Sequence, residues 1–456
     1  MKFKQYYLGC LSHASYYVGS GDEAVVIDPQ RDVQQYLDEA AANGQKIKYV
    51  IETHSHADFV SGHVELAERS GAEIVFGRRA ATKFPTHKVA DGDVLEIGNV
   101  RFTFFETPGH TPEGICILAE EQNAGEGEPA KLFTGDTLFI GDVGRPDLVG
   151  SKGFTSQEMA AMLFDSLHEK ILPLPDATEI YPAHGAGSLC GKSLSKETWS
   201  TLGEQRRHNY ALQPMSKARF VDLVAADQPE VPAYFPKSAA KNLEGSAALN
   251  ELQLPNAMTP EEVDNFTGVI LDVRPAGEYG RGHIRNSVNI GLGGQFASWA
   301  GTMVPIGVEI AIAANDIDQV KEAFTRLARV GHETVAGYIL MAEYSGKTSE
   351  IRQVNVKEAA AEIGDARDVQ FVDVRRKGEY DSGHGLNAVN IPLDKLPKEF
   401  ETLDPERPTY VICQGGYRSS LGTGILENAG FKNVVNVSGG TAAWIAQDLP
   451  IEKDGA

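Results

Sequence analysis

Over the first 200 residues, short apolar runs of strand length alternate with stretches that have a helical period. The strand-like runs are EAVVID, IKYVIE, AEIVFG, VRFTFFE, GICILAE and KLFTGD, and the helical stretches include VQQYLDEAAANG and SGHVELAERSG. Elements that alternate in this way form layered α/β folds, in which the loops at strand ends carry the functional groups. The pattern therefore predicts a layered α/β domain here, and the Pro-, Ala- and Asn-rich stretch at about 228–260 predicts a linker after it.

The last 200 residues contain an internal repeat. LDVRPAGEYGRGHIRNSVNIGLG aligns without gaps with VDVRRKGEYDSGHGLNAVNIPLD at an offset of 101 residues, which predicts two tandem copies of one small α/β domain. In each copy a strand ends in Asp-x-Arg, and alternation places the two side chains on one face. We interpret these pairs as staples that hold a loop rather than as catalytic groups: Asp272 with Arg274, and Asp373 with Arg375.

Length and charge narrow the class of protein. The chain of 456 residues is too long for one ordinary core and is expected to form about three domains. Its 42 Lys and Arg against 63 Asp and Glu give a formal net charge of -21, which would repel nucleic acids and anionic lipid surfaces. Without a signal-like or membrane-length apolar segment, we expect a soluble cytoplasmic protein with no nucleic acid and no membrane as a partner.

The cysteines do not form a pattern typical of disulfides. Cys10, Cys116, Cys190 and Cys413 are scattered without a CxxC pair, so neither a disulfide framework nor a cysteine-rich zinc site is indicated. Cys116 lies in the apolar run GICIL, where a buried, inert thiol is expected.

A metal site is indicated by histidines and aspartates at strand ends. In THSHADFVSGH, residues His54, His56 and Asp58 alternate and so lie on one side of an extended segment. Further donors follow other apolar runs in turns bounded by Gly and Pro: His110 in ETPGHTPEG, Asp136 in LFTGDTLF and His184 in EIYPAHGAG. Such a set at strand ends indicates a metal centre more than a group of capping or core residues.

These residues resemble the motif of the metallo-β-lactamase superfamily, which is HxHxDH followed by a distant His, a bridging Asp and a last His. Phe59 departs from this motif, because two-metal members carry there a His that binds the second metal. A phenyl ring cannot coordinate a metal, so we predict one metal per chain rather than two.

Two imidazoles and one carboxylate, from His54, His110 and Asp136, form a donor set that leaves positions open for O2 and substrate. In this superfamily, mononuclear iron with this set is typical of the persulfide dioxygenases, which the chain resembles; the resemblance implies one Fe(II) per chain. The resemblance implies that His56, Asp58 and His184 surround the metal ligands, where they orient these ligands or adjust their acidity. Zinc accepts the same donors in a hydrolytic site and stays an alternative.

The stretch GDTLFIGDVGRPDLVG is similar to one that follows the metal Asp in iron-dependent persulfide dioxygenases. Arg145 either binds a substrate carboxylate or steadies the loop through Asp147. Cys190, in HGAGSLCGKS, either contacts the persulfide or packs against a glycine turn.

Near the C-terminus, PTYVICQGGYRSSLGTGILENAG predicts a strand, a six-residue turn from Cys413 to Arg418 and a helix that begins at Ser419. Gly415 and Gly416 allow successive backbone N–H groups to point inward and form an anion-binding nest at a helix N-terminus. A cysteine at the base of this nest is expected to be a nucleophilic thiolate.

The loop has one residue fewer than the loop of cysteine phosphatases, which suits a sulfane sulfur better than a phosphate. With DVR, GEY and GH upstream, residues 355–456 resemble rhodanese sulfurtransferases. The resemblance implies that Cys413 carries a persulfide and that Arg418 balances its charge or that of thiosulfate.

The first copy has the same scaffold without the chemistry. It reads IAIAANDID where the second reads YVICQGGYR, which sets Ala313 opposite Cys413 and places Asp316 and Asp318 where an anion cradle needs glycine and arginine. This copy is predicted to be an inactive rhodanese-like domain that serves in spacing, docking or dimer contact.

The predicted architecture is an αββα metallo-β-lactamase sandwich over residues 1–245, an inactive rhodanese-like domain over 255–350 and an active rhodanese domain over 355–456, each rhodanese-like domain having a parallel sheet. It resembles the bacterial persulfide dioxygenase–sulfurtransferase fusions. The resemblance implies oxidation of a low-molecular-weight thiol persulfide by O2 to sulfite in sulfide detoxification, coupled to sulfane-sulfur transfer that involves thiosulfate. We also expect a homo-oligomer.

Two other functions stay open. The first is zinc-dependent thioester hydrolysis of the glyoxalase II kind, with the rhodanese part as an unrelated passenger. The second is a non-catalytic sulfur sensor or scaffold in which Cys413 relays sulfur to a partner.

Overall fold

The computed structural model describes residues 1–123, 125, 128–148, 153–192, 194–226, 228, 230–364 and 368–453. Contacts between residues divide the chain into two units. The first comprises Met1–Gln253 with Ala328–Gly331, and the second comprises Leu254–Leu327 with His332–Ala456.

The first unit contains two six-stranded sheets. The strands of the first sheet follow each other in space as in sequence: β1 (Lys2–Leu8), β2 (His13–Ser20), β3 (Glu23–Ile27), β4 (Lys46–Ile51), β5 (Glu73–Gly77) and β6 (His87–Val89). β1 to β3 pair antiparallel and β3 to β6 pair parallel. The loops that follow β4 and β5 therefore leave from the same edge of this sheet.

The second sheet is built from β7 (Val94–Ile97), β8 (Val100–Glu106), β9 (Ile115–Glu121), β10 (Lys131–Gly135), β11 (Glu179–Pro182) and β12 (Ser200–Thr201). Its order is β12-β11-β10-β9-β8-β7, and of its pairings only that of β10 with β11 is parallel. The inner faces of both sheets share one buried cluster, which includes Val18, Ile27, Phe102 and Phe133.

Helices cover the outer faces of both sheets. In chain order they are α1 (Gln34–Asn43), α2 (His63–Ser70), α3 (Ser156–Asp165), α4 (Leu202–His208), α5 (Lys217–Ala225) and α6 (Phe235–Glu244), and a π-helical segment, Ser166–Ile171, extends α3. α1, α2 and Leu243 of α6 pack on the first sheet. α3, α4 and α5 pack on the second sheet. The predicted αββα sandwich is confirmed.

The segment predicted as a linker differs from the prediction, because it contains α6. The side-chain amide of Asn242 in this helix donates hydrogen bonds of 2.8 Å to the carbonyl oxygens of His56 and Phe59, and its oxygen accepts the N–H of Ser61 at 2.9 Å. Two of the three buried residues of this helix, Ser238 and Asn242, are polar, so tertiary contacts rather than an apolar pattern reveal it.

The middle domain has a parallel sheet of four strands. Its strands are β13 (Val269–Asp272), β14 (His283–Ile284), β15 (Ser287–Asn289), β16 (Ile310–Ala314), β17 (Val335–Leu340) and β18 (Thr348–Ser349), and its helices are α7 (Pro260–Asp264), α8 (Ala276–Arg281), α9 (Phe296–Met303) and α10 (Ile317–Ala328). The sheet order is β15-β13-β16-β17, while β14 and β18 form a separate pair.

The C-terminal domain repeats this plan with five parallel strands. Its strands are β19 (Arg352–Asn355), β20 (Gln370–Asp373), β21 (His384–Gly385), β22 (Val389–Asn390), β23 (Thr409–Ile412), β24 (Val434–Ser438) and β25 (Ile451–Glu452), and its helices are α11 (Val356–Ile363), α12 (Lys377–Asp381), α13 (Leu396–Glu399), α14 (Tyr417–Asn428) and α15 (Gly440–Ala446). The order is β19-β24-β23-β20-β22, with β21 paired to β25. Across the described part of the chain, every helix is too short or too polar to cross a bilayer.

The Asp-x-Arg pairs hold loops, as predicted. The guanidinium of Arg274 donates to both carboxylate oxygens of Asp272 and to the carbonyl oxygen of Gly282, the last at 2.8 Å. Arg375 makes the same bonds to Asp373 and to the carbonyl oxygen of Gly383, also at 2.8 Å. Both copies thus use the pair to tie the strand to the loop after the next helix.

Candidate metal centre and sulfur-transfer loop

The three predicted ligands meet at one point beside the sheets. Nε2 of His54 lies 3.7 Å from Oδ2 of Asp136, and Nε2 of His110 lies 3.3 Å from the same oxygen. All three residues are buried and follow β4, β8 and β10, respectively. The structure therefore brings His54, His110 and Asp136 together as one group of potential metal donors.

Hydrogen bonds at Nδ1 set the orientation of both histidines. The hydroxyl of Thr53 donates to Asp28 at 2.8 Å, so it accepts the Nδ1–H of His54 at 3.0 Å. Nδ1 of His110 donates to the carbonyl oxygen of Arg145 at 2.9 Å. Each ring is thereby held as the tautomer whose Nε2 carries a lone pair, the usual arrangement for a metal-binding histidine.

The donor atoms of this group fit a metal ion. Nε2 of His54 and both carboxylate oxygens of Asp136 are buried without a hydrogen-bond partner among the described residues. Burial lowers the pKa of His54 well below its usual value and that of His110 to about 4. Burial, together with the charge of Asp58, raises the pKa of Asp136 well above its usual range. Neutral imidazoles and a carboxylate with unpaired oxygens suit a divalent cation, which supplies the missing positive charge.

A second group lies at the other oxygen of the same carboxylate. Nε2 of His184 is 3.6 Å from Oδ1 of Asp136 and 3.4 Å from Oδ2 of Asp58, and the thiol of Cys190 belongs to the same group. Nδ1 of His184 donates to the carbonyl oxygen of Ser12 at 3.3 Å, which again leaves Nε2 facing the group. Burial raises the pKa of Cys190 well above its usual value. The thiol of Cys190 therefore lies beside Asp58 and His184, and its contact with a persulfide stays a prediction.

His56 faces carboxylates instead of His54, His110 and Asp136. Its Nε2 lies 3.2 Å from Oδ1 of Asp28 and 3.3 Å from Oε2 of Glu52. Burial opposes its charge, but the two carboxylates outweigh this effect and raise the pKa of His56 well above its usual value. The two carboxylates therefore favour the protonated form of His56, in which Nε2 has no lone pair for a metal.

His13 is a site residue that the sequence pattern did not indicate. Its Nε2 donates to the carbonyl oxygen of Asp28 at 2.9 Å, its Nδ1 has no partner among the described residues, and it groups with His56 and His184. Burial lowers its pKa to about 3. The ring of Phe59 packs on His13 and His56, with centroid distances of 4.2 and 4.6 Å. A single His at the start of β2 has no spacing signal, so only the fold reveals it.

Two roles were predicted for Arg145, binding of a substrate carboxylate and steadying of the loop through Asp147, and the structure shows the guanidinium paired with Asp147. Nε and Nη2 donate to the two oxygens of Asp147 at 2.7 Å each, and Nη1 donates to the carbonyl oxygen of Leu189 at 3.2 Å. The N–H of Arg145 also donates to the carbonyl oxygen of Cys190 at 2.9 Å. These bonds favour the alternative in which Arg145 steadies the loop.

Cys413 lies at the base of a loop that directs hydrogen-bond donors at its sulfur. The N–H of Gly416 lies 3.1 Å from Sγ, and the hydroxyl of Ser419 lies 3.4 Å from it. Gly416 has a φ of 95°, a conformation that favours glycine, and α14 begins directly after it. The helix therefore starts at Tyr417, two residues before the predicted start, because the glycine acts as its N-cap.

Arg418 has a carboxylate partner that was not predicted from the sequence. Its Nη1 and Nη2 donate to the two oxygens of Glu379 at 2.7 and 2.6 Å. Glu379 belongs to the GEY motif, which the inactive copy also carries. In that copy Glu278 accepts a bond of 2.7 Å from Asn315 instead. Because both copies keep the glutamate, its presence alone did not mark it as part of a site.

The register of the two copies corrects one predicted equivalence. Asp272 pairs with Ala313 in the middle domain, and Asp373 pairs with Ile412 in the C-terminal domain. Ala314, not Ala313, therefore occupies the position of Cys413. The prediction followed a gapless alignment of the two strands, whereas the chain between the paired strands differs in length. The conclusion that this copy lacks the thiol is unchanged.

Family comparisons match both parts of the chain. The metallo-beta-lactamase superfamily matches residues 8–184, and the rhodanese-like domain matches residues 256–339 and 355–447. The predicted resemblances to these families and the predicted fold class are confirmed.

The curated relatives that match the chain include proteins with two different activities. The mitochondrial persulfide dioxygenase ETHE1 of Bos taurus is 33% identical over 193 residues, which are 41% of this chain and 65% of the relative. A hydroxyacylglutathione hydrolase of Idiomarina loihiensis is 31% identical over 165 residues, or 36% of this chain and 56% of the relative. The chain thus spans less than two thirds of either curated relative.

A solved structure covers more of the chain. The crystal structure of a metallo-beta-lactamase from Staphylococcus aureus subsp. aureus COL is 35% identical, with a TM-score of 0.67, over 74% of this chain and 98% of that one. Its match extends well beyond the 177-residue span of the metallo-beta-lactamase family match, from 8 to 184.

Proposed function

Because this chain belongs to the metallo-β-lactamase superfamily and also carries two rhodanese-like domains, we propose that it is an iron-dependent persulfide dioxygenase joined to a sulfurtransferase. The overall oxidation is RSSH + O2 + H2O → RSH + SO3²⁻ + 2 H⁺, with a low-molecular-weight thiol as RSH. We assign it to residues 1–245, the inactive rhodanese-like domain to 255–350 and sulfur transfer to 355–456. The convergence of His54, His110 and Asp136 is the observation that carries the proposal.

The residues of the metal centre have separable tasks. His54, His110 and Asp136 would hold Fe(II), which when bound supplies the activation of O2. Thr53 and the carbonyl oxygen of Arg145 keep the two imidazoles in the ligand tautomer. Burial of the group keeps bulk water away, which strengthens the electrostatic interactions of the charged donors.

His56 and the carboxylates beside it form the outer part of the centre. Asp28 accepts bonds from both the N–H and the hydroxyl of Thr53, at 2.7 and 2.8 Å, and so connects His56 to the residue that orients His54. Through this connection the second histidine of the motif contributes to the geometry without occupying a ligand position.

The sulfur-transfer step takes place at Cys413 in this proposal. Its thiolate attacks the outer sulfur of thiosulfate, an S–S bond forms at Cys413, and the S–S bond of thiosulfate breaks with release of sulfite, which carries the electron pair. The N–H of Gly416 and the hydroxyl of Ser419 would stabilise the negative sulfur. Arg418, held by Glu379, would attract the anionic substrate.

A second candidate function is zinc-dependent thioester hydrolysis, which the hydroxyacylglutathione hydrolase relatives favour. Asp58 and His184 lie at the second oxygen of Asp136, as a two-metal hydrolase needs. Against it, Phe59 offers a ring where that arrangement needs a further donor, and it packs on His13 and His56.

Metal content and oxygen uptake distinguish the persulfide dioxygenase from the thioester hydrolase. Protein purified without added metal is analysed for iron and zinc, and oxygen consumption is followed with glutathione persulfide while hydrolysis is followed with S-lactoylglutathione. About one iron per chain with persulfide-dependent oxygen uptake is expected. Two zinc ions with thioester hydrolysis and no oxygen uptake would refute the dioxygenase.

A further inference from the structure

The helix that carries the sulfur-transfer loop is attached to the inactive copy along its whole length. α14 begins at Tyr417, directly after Gly416, whose N–H points at the sulfur of Cys413. Residues of the middle domain contact this helix at its first turn, in its next residues and at its last turn, and each contact uses a hydrogen bond.

At the first turn, Tyr417 reaches into the middle domain. Its hydroxyl donates to the carbonyl oxygen of Gly291 at 2.8 Å. Its ring lies so close to Gly294 that a Cβ there would come within 2.8 Å of two ring carbons. Arg326 holds this part of the chain by donating to the carbonyl oxygens of Leu292 and Gly294 at 2.7 and 2.9 Å. The receiving surface is therefore braced by a buried cation.

The next contact joins Ser420 to Asn289. The hydroxyl of Ser420 donates to Oδ1 of Asn289 at 2.6 Å, and both residues are buried. The amide of Asn289 donates to the carbonyl oxygens of Asp272 and Arg274 at 3.0 and 2.9 Å. Through Asn289 the hydroxyl of Ser420 is thus connected to the end of β13, where the ion pair of Asp272 and Arg274 also holds the backbone.

The last turn of α14 is held by Glu427. Its carboxylate lies 2.7 Å from Nε2 of His283 and also accepts the hydroxyl of Ser349. The amide of Asn428 donates to the carbonyl oxygen of Ser287 at 3.2 Å. Helix rotation or sliding would break contacts at both ends together.

We propose that the inactive middle copy is the positioning element of the sulfur-transfer site, and that Tyr417 is the positioning residue through which it acts. The middle copy has Ala314 where the active copy has Cys413, so it contributes no thiol. It contributes a rigid receptor that holds Tyr417, and with it the adjacent N–H of Gly416 and the guanidinium of Arg418. This inference rests on the proposed role of Cys413 in sulfur transfer.

Two adjacent glycines provide a matched test. Gly294→Ala places a methyl group against the ring of Tyr417, whereas Gly293→Ala meets nothing within 4 Å. We expect Gly294→Ala to lower thiosulfate sulfurtransferase kcat about tenfold and Tyr417→Phe, which loses one hydrogen bond, to lower it about threefold to tenfold. Gly293→Ala is expected to stay within about twofold of the unsubstituted chain.

A second measurement distinguishes an effect on the position of the loop around Cys413 from unfolding of the protein and from a wrong assignment of the sulfur-transfer function. The rate at which iodoacetamide alkylates Cys413 in the full chain is measured by mass spectrometry. This rate does not require turnover, and it depends on the hydrogen-bond donors around Sγ. We expect Gly294→Ala to slow it about as much as it slows transfer, while oxygen uptake and the thermal unfolding midpoint change little. If the unsubstituted chain transfers no sulfur, the proposed function of Cys413 fails, and the alkylation comparison still decides the positioning role.

A double substitution completes the test. In a Tyr417→Ala background the ring is absent, so Gly294→Ala is expected to have almost no further effect on either rate. Equal losses from Gly293→Ala and Gly294→Ala would overturn the proposal. So would fully additive losses in the double variant, or an unchanged alkylation rate in Gly294→Ala.

Discussion

Nδ1 of His110 donates a hydrogen bond to the main-chain carbonyl oxygen of Arg145, 2.9 Å away. The side chain of Arg145 is in turn fixed by two bonds to Asp147. A metal-centre histidine is therefore oriented by a loop whose own shape depends on one partly buried ion pair.

Removal of that ion pair is expected to weaken metal retention. Asp147→Asn leaves the guanidinium of Arg145 only partly neutralised and frees the loop, so metal affinity should fall about tenfold. Competition with a chelator measures the change. Asp165→Asn, which removes an exposed ion pair with Lys217, is the matched control and should leave affinity unchanged. Equal affinities in all three proteins would show that the loop does not orient His110.

The two activities are expected to separate by substitution. Asp136→Ala removes the carboxylate shared by His54 and His110 and should abolish oxygen consumption while thiosulfate sulfur transfer continues. Cys413→Ser should do the reverse, because the alcohol is a far weaker nucleophile. Each variant is the control for the other, with circular dichroism as the test of folding. Loss of both activities in both folded variants would exclude a scheme with two sites.

Metal binding is expected to release a proton from Asp136. Burial raises the pKa of this carboxyl well above its usual range, which favours the protonated form of the metal-free site, and a metal ligand must lose that proton. Burial keeps His54 and His110 uncharged, so they contribute none. Affinity should rise with pH up to the raised pKa and then level off.

Calorimetric titration in buffers of different ionisation enthalpy counts the protons released. We expect about one per metal ion in the unsubstituted chain. The same count in Asp136→Asn would assign the proton to another group.

The contact between the carboxylate of Glu427 and Nε2 of His283 is expected to make stability depend on pH. Burial opposes the charge of Glu427, but its bonds to His283 and Ser349 lower its pKa below the usual value. A carboxyl with a lowered pKa in the folded state contributes stability above its unfolded pKa of about 4.3, and this contribution is lost as the pH falls through the folded value.

Glu427→Gln should lower the thermal unfolding midpoint at pH 7 by about 2–4 °C and reduce the difference in midpoint between pH 7 and pH 3. Glu406→Gln, which removes an exposed pair with Lys432, serves as the control. An unchanged pH dependence in Glu427→Gln would contradict the assignment.

The single-metal prediction can be tested at Phe59. Phe59→His adds a donor directly after Asp58 in the chain and against His13, so metal content should rise from about one towards two ions per chain in zinc-supplemented medium. Phe59→Leu keeps the site apolar and should stay near one. Elemental analysis of both variants gives the answer, and two ions in the Phe59→Leu protein would show that the phenyl ring does not limit the site.

Much of the site could be predicted from the sequence because its signals are local. Period two places His54, His56 and Asp58 on one side of the chain, and glycine-bounded turns after apolar runs mark His110, Asp136 and His184. The repeat and the cysteine loop are likewise contiguous patterns. The roles assigned to these residues stay predictions, although the structure brings the donors together.

Only the tertiary structure decided which way each of these side chains faces. His56 turns to Asp28 and Glu52, His13 enters from the start of β2, and Glu379 pairs with Arg418, because partners distant in sequence supply the hydrogen bonds that select each orientation. The sequence determined which donors are present and where strands end. Folding determined their partners, since buried polar groups must be satisfied by whatever the packed chain places beside them.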